Sequence, residues 1–391
     1  MTSISRLCSS SEVCEQAGNS VERKFKEERT YKEYSTMKKS LLLTAGIAFF
    51  LLSVLVSLPV RQAHAQDDTG APVTIKDIGP HPFSFTTGSP DGALGALSTP
   101  AGSSAETETA DDFVLTQPTV ISGATIHGLL VPTGTAVPAV ANVEVEIYHV
   151  FSPDSKESDV NRTSGPPTFS TANVPTRVNS PADVEIDAAT RDSSEGGLSF
   201  TTTPIAAAFT VRNTVINGIN KKPAQLTHGD GAATGDEVEI DITFNSPLFL
   251  SADHYFFRPE VQVNGGNFLF LSAPRPITTG TPFPAGTTDL QAWIRNVGLK
   301  PDWLRIGSDI INGNPPTFFP ATFNMTFSLS GNSIPEAGTP GNANCHGRTV
   351  SAIATEFGGI DPSAFTLGYA NTAALQDGVR VFCGDQDDVQ N

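Results

Sequence analysis

A chain of 391 residues with 38% hydrophobic side chains has room for a sizeable core and for more than one domain. Gly (34) and Pro (29) are abundant and Phe (24) far outnumbers Tyr (5) and Trp (2), a mix that favours many short strands over long helices. The formal net charge of −17 repels phosphate backbones and anionic lipid, which speaks against nucleic-acid binding.

Residues 1–36 are polar and charged without apolar periodicity, so Met37 reads as the true start and 1–36 as an upstream extension. Lys38 and Lys39 form a basic n-region, and Leu41 to Leu58 is an uncharged apolar run. Ala63-His64-Ala65 places small residues at both positions a signal peptidase reads. Residues 37–65 therefore read as a signal peptide cut before Gln66. The alternative is a signal anchor: a run of this length is at the lower edge of a membrane span, with its basic end held in the cytoplasm. Both readings put residues after 65 outside the cytoplasm, extracellular or periplasmic, and differ only in tethering through 41–58. Loss of residues 1–65 would leave a net charge of about −20.

Residues 66–110, rich in Gly, Pro, Ser and Thr, read as a flexible leader. The strand signal begins after it. Glu237 to Phe244 alternates cleanly, with Val238, Ile240, Ile242 and Phe244 on one face and Glu237, Glu239, Asp241 and Thr243 on the other. Asn142 to Val150 sets Val143, Val145 and Ile147 against Glu144, Glu146 and Tyr148. Thr322 to Leu329 turns Phe323, Met325, Phe327 and Leu329 inward. Further strands are expected at Phe113–Leu115, Val120–Leu130, Leu198–Thr202, Ala207–Val211, Tyr255–Val263 and Phe268–Leu271. One wet and one dry face per strand predicts an antiparallel β-sandwich, jelly-roll-like, over 111–330. Two long stretches, Ser152 to Arg191 and Pro274 to Pro320, break the pattern; the tryptophans in the second argue for packing.

Residues 331–340 read as a linker. Helical spacing then appears at Thr349 to Phe357, closed by Gly358-Gly359. Asp361-Pro362 is expected to open a second helix, and Asn371 to cap a third carrying Leu375, Val379 and Phe382. This module, 341–384, is small for a core of its own. Cys345 and Cys383 would close it end to end with a disulfide that the chain-entropy model values at about 4 kcal/mol. Residues 385–391 form an acidic tail.

No nucleophile elbow, zinc-protease helix, phosphate loop or EF-hand loop is present, and no two histidines share metal-ligand spacing on one element. Asp253-His254 juxtaposes a carboxylate and an imidazole, but neighbours on a strand face opposite ways. Asp111 and Asp112 offer oxygen ligands for a structural calcium ion, as does the acidic group Asp154, Glu157 and Asp159; a solvated turn is the alternative. Trp293 and Trp303 with Arg295 and Arg305 form a candidate glycan-stacking surface; the competing reading is a core anchor, with Arg305 paired to Asp302 or Asp309. Cys345, His346 and Cys383 could ligate zinc, against which the oxidising compartment favours the disulfide.

The strings Ala110-Asp111-Asp112-Phe113-Val114-Leu115, Val145-Glu146-Ile147-Tyr148, Val174-Pro175-Thr176-Arg177-Val178-Asn179-Ser180-Pro181, Ala252-Asp253-His254-Tyr255-Phe256-Phe257 and Pro301-Asp302-Trp303-Leu304-Arg305-Ile306-Gly307 resemble an uncharacterised family of exported bacterial β-rich proteins over about 111–330. Gly341 through Gly384, with its Cys-His and Cys ends, resembles a short C-terminal module of assorted exported bacterial proteins. Neither resemblance implies an activity or a site. The expectation is a non-enzymatic binding or structural protein meeting a glycan or envelope component. The alternatives are a secreted glycosidase-like hydrolase using paired carboxylates, and a scaffold that presents the C-terminal module to a partner.

Overall fold

The computed structural model describes residues 80–100, 106–151, 177–217, 219, 226–296, 303–311 and 322–384. The extension 1–36, the signal or anchor segment 37–65, Asp154, Glu157, Asp159, Asp302 and the acidic tail lie outside the described residues. Among the described residues no helix is long and apolar enough to cross a membrane.

In chain order the strands are β1 (His81–Thr86), β2 (Leu94–Leu97), β3 (Thr107–Val114), β4 (Thr119–Pro132) and β5 (Ala139–His149). Then come β6 (Arg191–Asp192), β7 (Leu198–Val211), β8 (Asn213–Val215), β9 (Ala233–Leu250) and β10 (His254–Asn264). The last are β11 (Gly266–Ala273), β12 (Trp293–Asn296), β13 (Leu304–Arg305), β14 (Asn324–Met325) and β15 (Phe327–Ser333). They build two sheets. A nine-stranded sheet runs β1-β15-β4-β11-β2-β8, with β9 on β4, β7 on β9 and β14 on β11. A six-stranded sheet runs β13-β12-β3-β10-β5-β6. Pairing between these strands is antiparallel except β2 with β8. β15 follows β4 along Thr119–Ile126, and β11 takes over the same strand at Gly128–Pro132.

The two sheets close on one core. Val143, Val145, Ile147, Tyr255 and Phe257 of the smaller sheet meet Ile126, Ile240, Ile242, Phe268 and Phe327 of the larger. Phe257 stacks on Phe327 with centroids 5.0 Å apart, and Phe113 on Tyr255 at 5.5 Å. The expected sandwich is present, and the period-two faces Val238, Ile240, Ile242 and Phe244 are all buried.

Three expectations need correction. The leader is structured from residue 80: β1 pairs with β15 and β2 with β11, so its Phe85, Leu94 and Ala96 join the core. The polar sides of the strands are not uniformly wet, since Glu146, Tyr148 and Glu237 are buried. Residues 331–340 are no loose tether either. Gly331, Asn332 and Ser333 complete β15, Ile334 is fully buried, and a Cβ on Gly338 would stand 2.5 Å from the Cys345 backbone.

The C-terminal helices are α1 (Cys345–Glu356), α2 (Ile360–Thr366) and α3 (Thr372–Cys383). Asn371 caps α3 by accepting from the Ala374 N–H at 2.9 Å, as its position suggests. Asp361 does not cap α2: the residue before the helix is Gly359, and the Asp361 carboxylate accepts from Thr372 Oγ1 at 2.6 Å instead. Cys345 and Cys383 are joined, Cα atoms 5.6 Å apart. The helices pack on the sandwich: Ile353, Leu375, Val379 and Phe382 share a cluster with Val120 of β4 and Phe249 of β9. Phe249 and Phe382 stack at 4.0 Å.

Candidate functional site

Chemistry concentrates on the face of the six-stranded sheet turned away from the sandwich core. Alternation sends Glu108, Ala110 and Asp112 of β3 to that side, with Glu144, Glu146 and Tyr148 of β5 and Phe256, Arg258 and Glu260 of β10; Glu106 immediately precedes β3. Register sets Arg258 opposite Glu146, Glu260 opposite Glu144, and Arg295 of β12 opposite Glu108. Arg258 Nη1 lies 2.9 Å from Glu260 Oε2, and its Nη2 pairs with Glu146 and lies 3.9 Å from both Glu108 and Glu144. Arg295 Nε pairs with Glu108, and Tyr148 donates to Glu146.

This face is covered. Trp303 donates from Nε1 to the Ala182 carbonyl at 3.2 Å, and the Arg295 guanidinium sits 4.4 Å from its ring. Segment 177–189 adds Ala182 and the Arg177–Asp183 ion pair, all buried.

Burial and crowding act on the carboxylates. Burial, then a hydrogen bond shared with Glu146, pushes Glu144 up to about 7. Burial pushes Glu260 up to about 8, with Glu108, Glu144 and Glu106 reinforcing it against Arg258. Burial also opposes ionisation of Glu146, but Arg258 and hydrogen bonds from its neighbours hold it below the usual range. Among the described residues Glu106, Glu108 and Glu260 alone bring three ligand oxygens within 4.8 Å of one another.

The residues proposed as a glycan surface belong to this interior. Trp293 and Trp303 are 1% exposed, Arg295 and Arg305 are buried, and Arg305 is held by Asp309 at 3.0 Å. The surface reading is thus corrected: the rings bury the far side of a sheet, and no stacking face is open. Asp111 and Asp112 are also buried, on opposite faces of β3. Asp111 accepts from the Met325 N–H at 2.7 Å, and Asp112 from Leu290 N–H at 3.1 Å, with His254 Nε2 at 2.6 Å. Burial raises both well above the carboxylate range, helped at Asp111 by Asp112 and at Asp112 by Asp289. They do not form a solvated loop, nor do they gather with a third carboxylate at ligand spacing. Asp253 and His254 take separate partners: Asp253 lies 3.2 Å from His149 Nδ1 and His254 binds Asp112. The joined cysteines leave no thiolate for a metal.

A groove of about 680 Å³ opens elsewhere, between α1 and the ends of β1 and β15. Ser351, Thr355 and Arg348 of α1 line one wall, and His81, Glu336 and Glu356 the rim. The His81 N–H reaches the Glu356 carboxylate at 3.3 Å and ties helix to strand.

Sequence reasoning missed Glu106 and Glu108 because it placed them in the flexible leader, and Arg258 and Glu260 because it gave every strand one side to water. The usable signal was a pair of charges at i and i+2 on three strands, at 106/108, 144/146 and 258/260. The groove left no signal: apart from His81 its lining residues fall within 335–356, and only the fold turns them toward a common space. No protein-family profile, curated protein or solved structure matches the chain.

Proposed function

We propose that the chain is an exported, non-enzymatic binding protein of the cell exterior or envelope that recognises a glycan-like ligand through the groove beside α1. The groove carries this reading. Its volume lies in the range of small-ligand sites, and hydroxyls of Ser351 and Thr355 with Arg348, Glu336 and Glu356 supply the donors and acceptors a polyhydroxylated ligand needs. The rigid frame supports it too: the joined cysteines fix α1 against α3, and Glu356 fixes it against β1.

The hydrolase alternative would rest on Glu144 and Glu146, whose proton affinities are split as an acid and its partner require. Glu146 is buried and held by Arg258 and Tyr148 on a covered face, which leaves no open cleft for a sugar beside the pair. The binding reading is therefore preferred. A glycan and envelope-fraction binding screen on residues 66–391, with Ser351→Trp as the groove-filling control, tests it. A retained ligand that Ser351→Trp releases is expected; no retained ligand, or equal retention by both chains, rejects the reading.

A further inference from the structure

We propose that Glu106, Glu108 and Glu260 form a site for a hard divalent cation of the calcium class on the covered face of the six-stranded sheet. This site is independent of the groove and of its ligand.

The two arginines nearby do not use up the carboxylates. Arg295 takes Glu108 Oε2, and Arg258 takes Glu260 Oε2. That leaves Glu108 Oε1, 3.9 Å from Arg258, and Glu260 Oε1, which is buried without any hydrogen-bond partner. Glu260 is 1% exposed, so water does not supply the missing contact at its surface. An orphaned buried carboxylate oxygen forfeits its hydration without return unless something meets it. The carboxylate that carries it is one of the trio whose ligand atoms converge within 4.8 Å.

Charge points the same way. Leaving Glu106 aside, four carboxylates, Glu108, Glu144, Glu146 and Glu260, face two guanidiniums, Arg258 and Arg295. One divalent ion neutralises the difference. A donor set made only of carboxylate oxygens selects calcium, magnesium or manganese over zinc or copper. The strands supply the geometry. Beyond Phe257↔Asp111, β3 and β10 part and Ser98 enters between them, its carbonyl accepting from Val261 N–H at 3.1 Å and its Oγ from Thr109 N–H at 3.2 Å. Glu108 and Glu260 flank these two contacts on their respective strands, so a cation there would tie β3 to β10 where their ladder has lapsed.

The test is titration of the chelator-treated full chain with calcium by calorimetry and with terbium by luminescence sensitised through Trp293 and Trp303, which share this face. A single saturable site, displaced by calcium and ineffective with zinc, is expected, together with a rise in melting temperature on adding calcium. Glu260→Gln and Glu106→Gln should each weaken it by about tenfold or more, whereas Glu336→Gln in the groove should leave it unchanged. If Glu260→Gln fails to fold, Glu106→Gln at the start of the strand decides. Absence of saturable binding, or unchanged affinity in the folded variants, overturns the proposal.

Discussion

Asp111 and Asp112 show what one buried charge asks of its surroundings. Burial, aided by neighbouring carboxylates, holds both well above the carboxylate range, so the folded state keeps protons that the unfolded chain releases above about pH 4. The folded state thus binds more protons, and stability should fall as pH rises from there until the folded carboxyls ionise. Urea unfolding at successive pH values should give a flatter curve for Asp111→Asn; equal slopes would mean that Asp111 is already ionised in the fold. Arg295 poses the converse case. Arg295→Ala strands Glu108 in the interior and should cost about 3–5 kcal/mol in chemical denaturation, with groove binding unchanged in the folded fraction. Partnerships of this kind are opaque in sequence. Glu108 and Arg295 are 187 positions apart, and no local period links them. The tryptophans were legible as anchors because large rings are usually buried, but which face they bury depends on a second layer formed by 177–189.

Strand period is the most readable level. Ile240 sits in the sandwich core, so Ile240→Asp should abolish the cooperative thermal transition, while Thr243→Lys on the exposed side should stay within about 0.5 kcal/mol of the parent. Equivalent melts for the two would refute the face assignment. Residues 80–100 escaped notice because their turn-rich composition outweighs a short alternation, Phe83 and Phe85 between Pro82, Ser84 and Thr86. A strand so short is held by its neighbour, and that neighbour is β15. The helices read well from spacing and from the Asn371 cap, but α1 begins at Cys345, before the apolar repeat, and α2 starts without the expected Asp361 cap. Their attachment did not read, since Phe249 and Phe382 meet only in three dimensions. Phe382→Ala should destabilise by about 3 kcal/mol and speed amide exchange at Thr119–Ile121 and Leu248–Leu250 as well as in the helices. Reduction of Cys345–Cys383 should affect the same strand ends. Loss of protection confined to 341–384 would instead favour an independent module.

As a whole molecule, the described residues fall in one compact unit in which helices, groove and sandwich share buried side chains. β15 lies between β1 and β4 and carries Phe327 and Leu329 into the core, so it is a central strand although it comes near the end. A chain ended at Thr326 should therefore give no cooperative transition by calorimetry, rather than a folded sandwich without its helices. This arrangement has a consequence in time. β1 meets its partner some 245 residues later, with His81 opposite Ser333. A polypeptide delivered amino end first, whether from a ribosome or through a pore, cannot seat β1 until residues as late as Ser333 have arrived. Until then β4 presents a bare edge to every passing neighbour, and such edges invite aggregation. β15 thus acts as the clock of assembly, and escort proteins have their longest task on the strands that appear long before it.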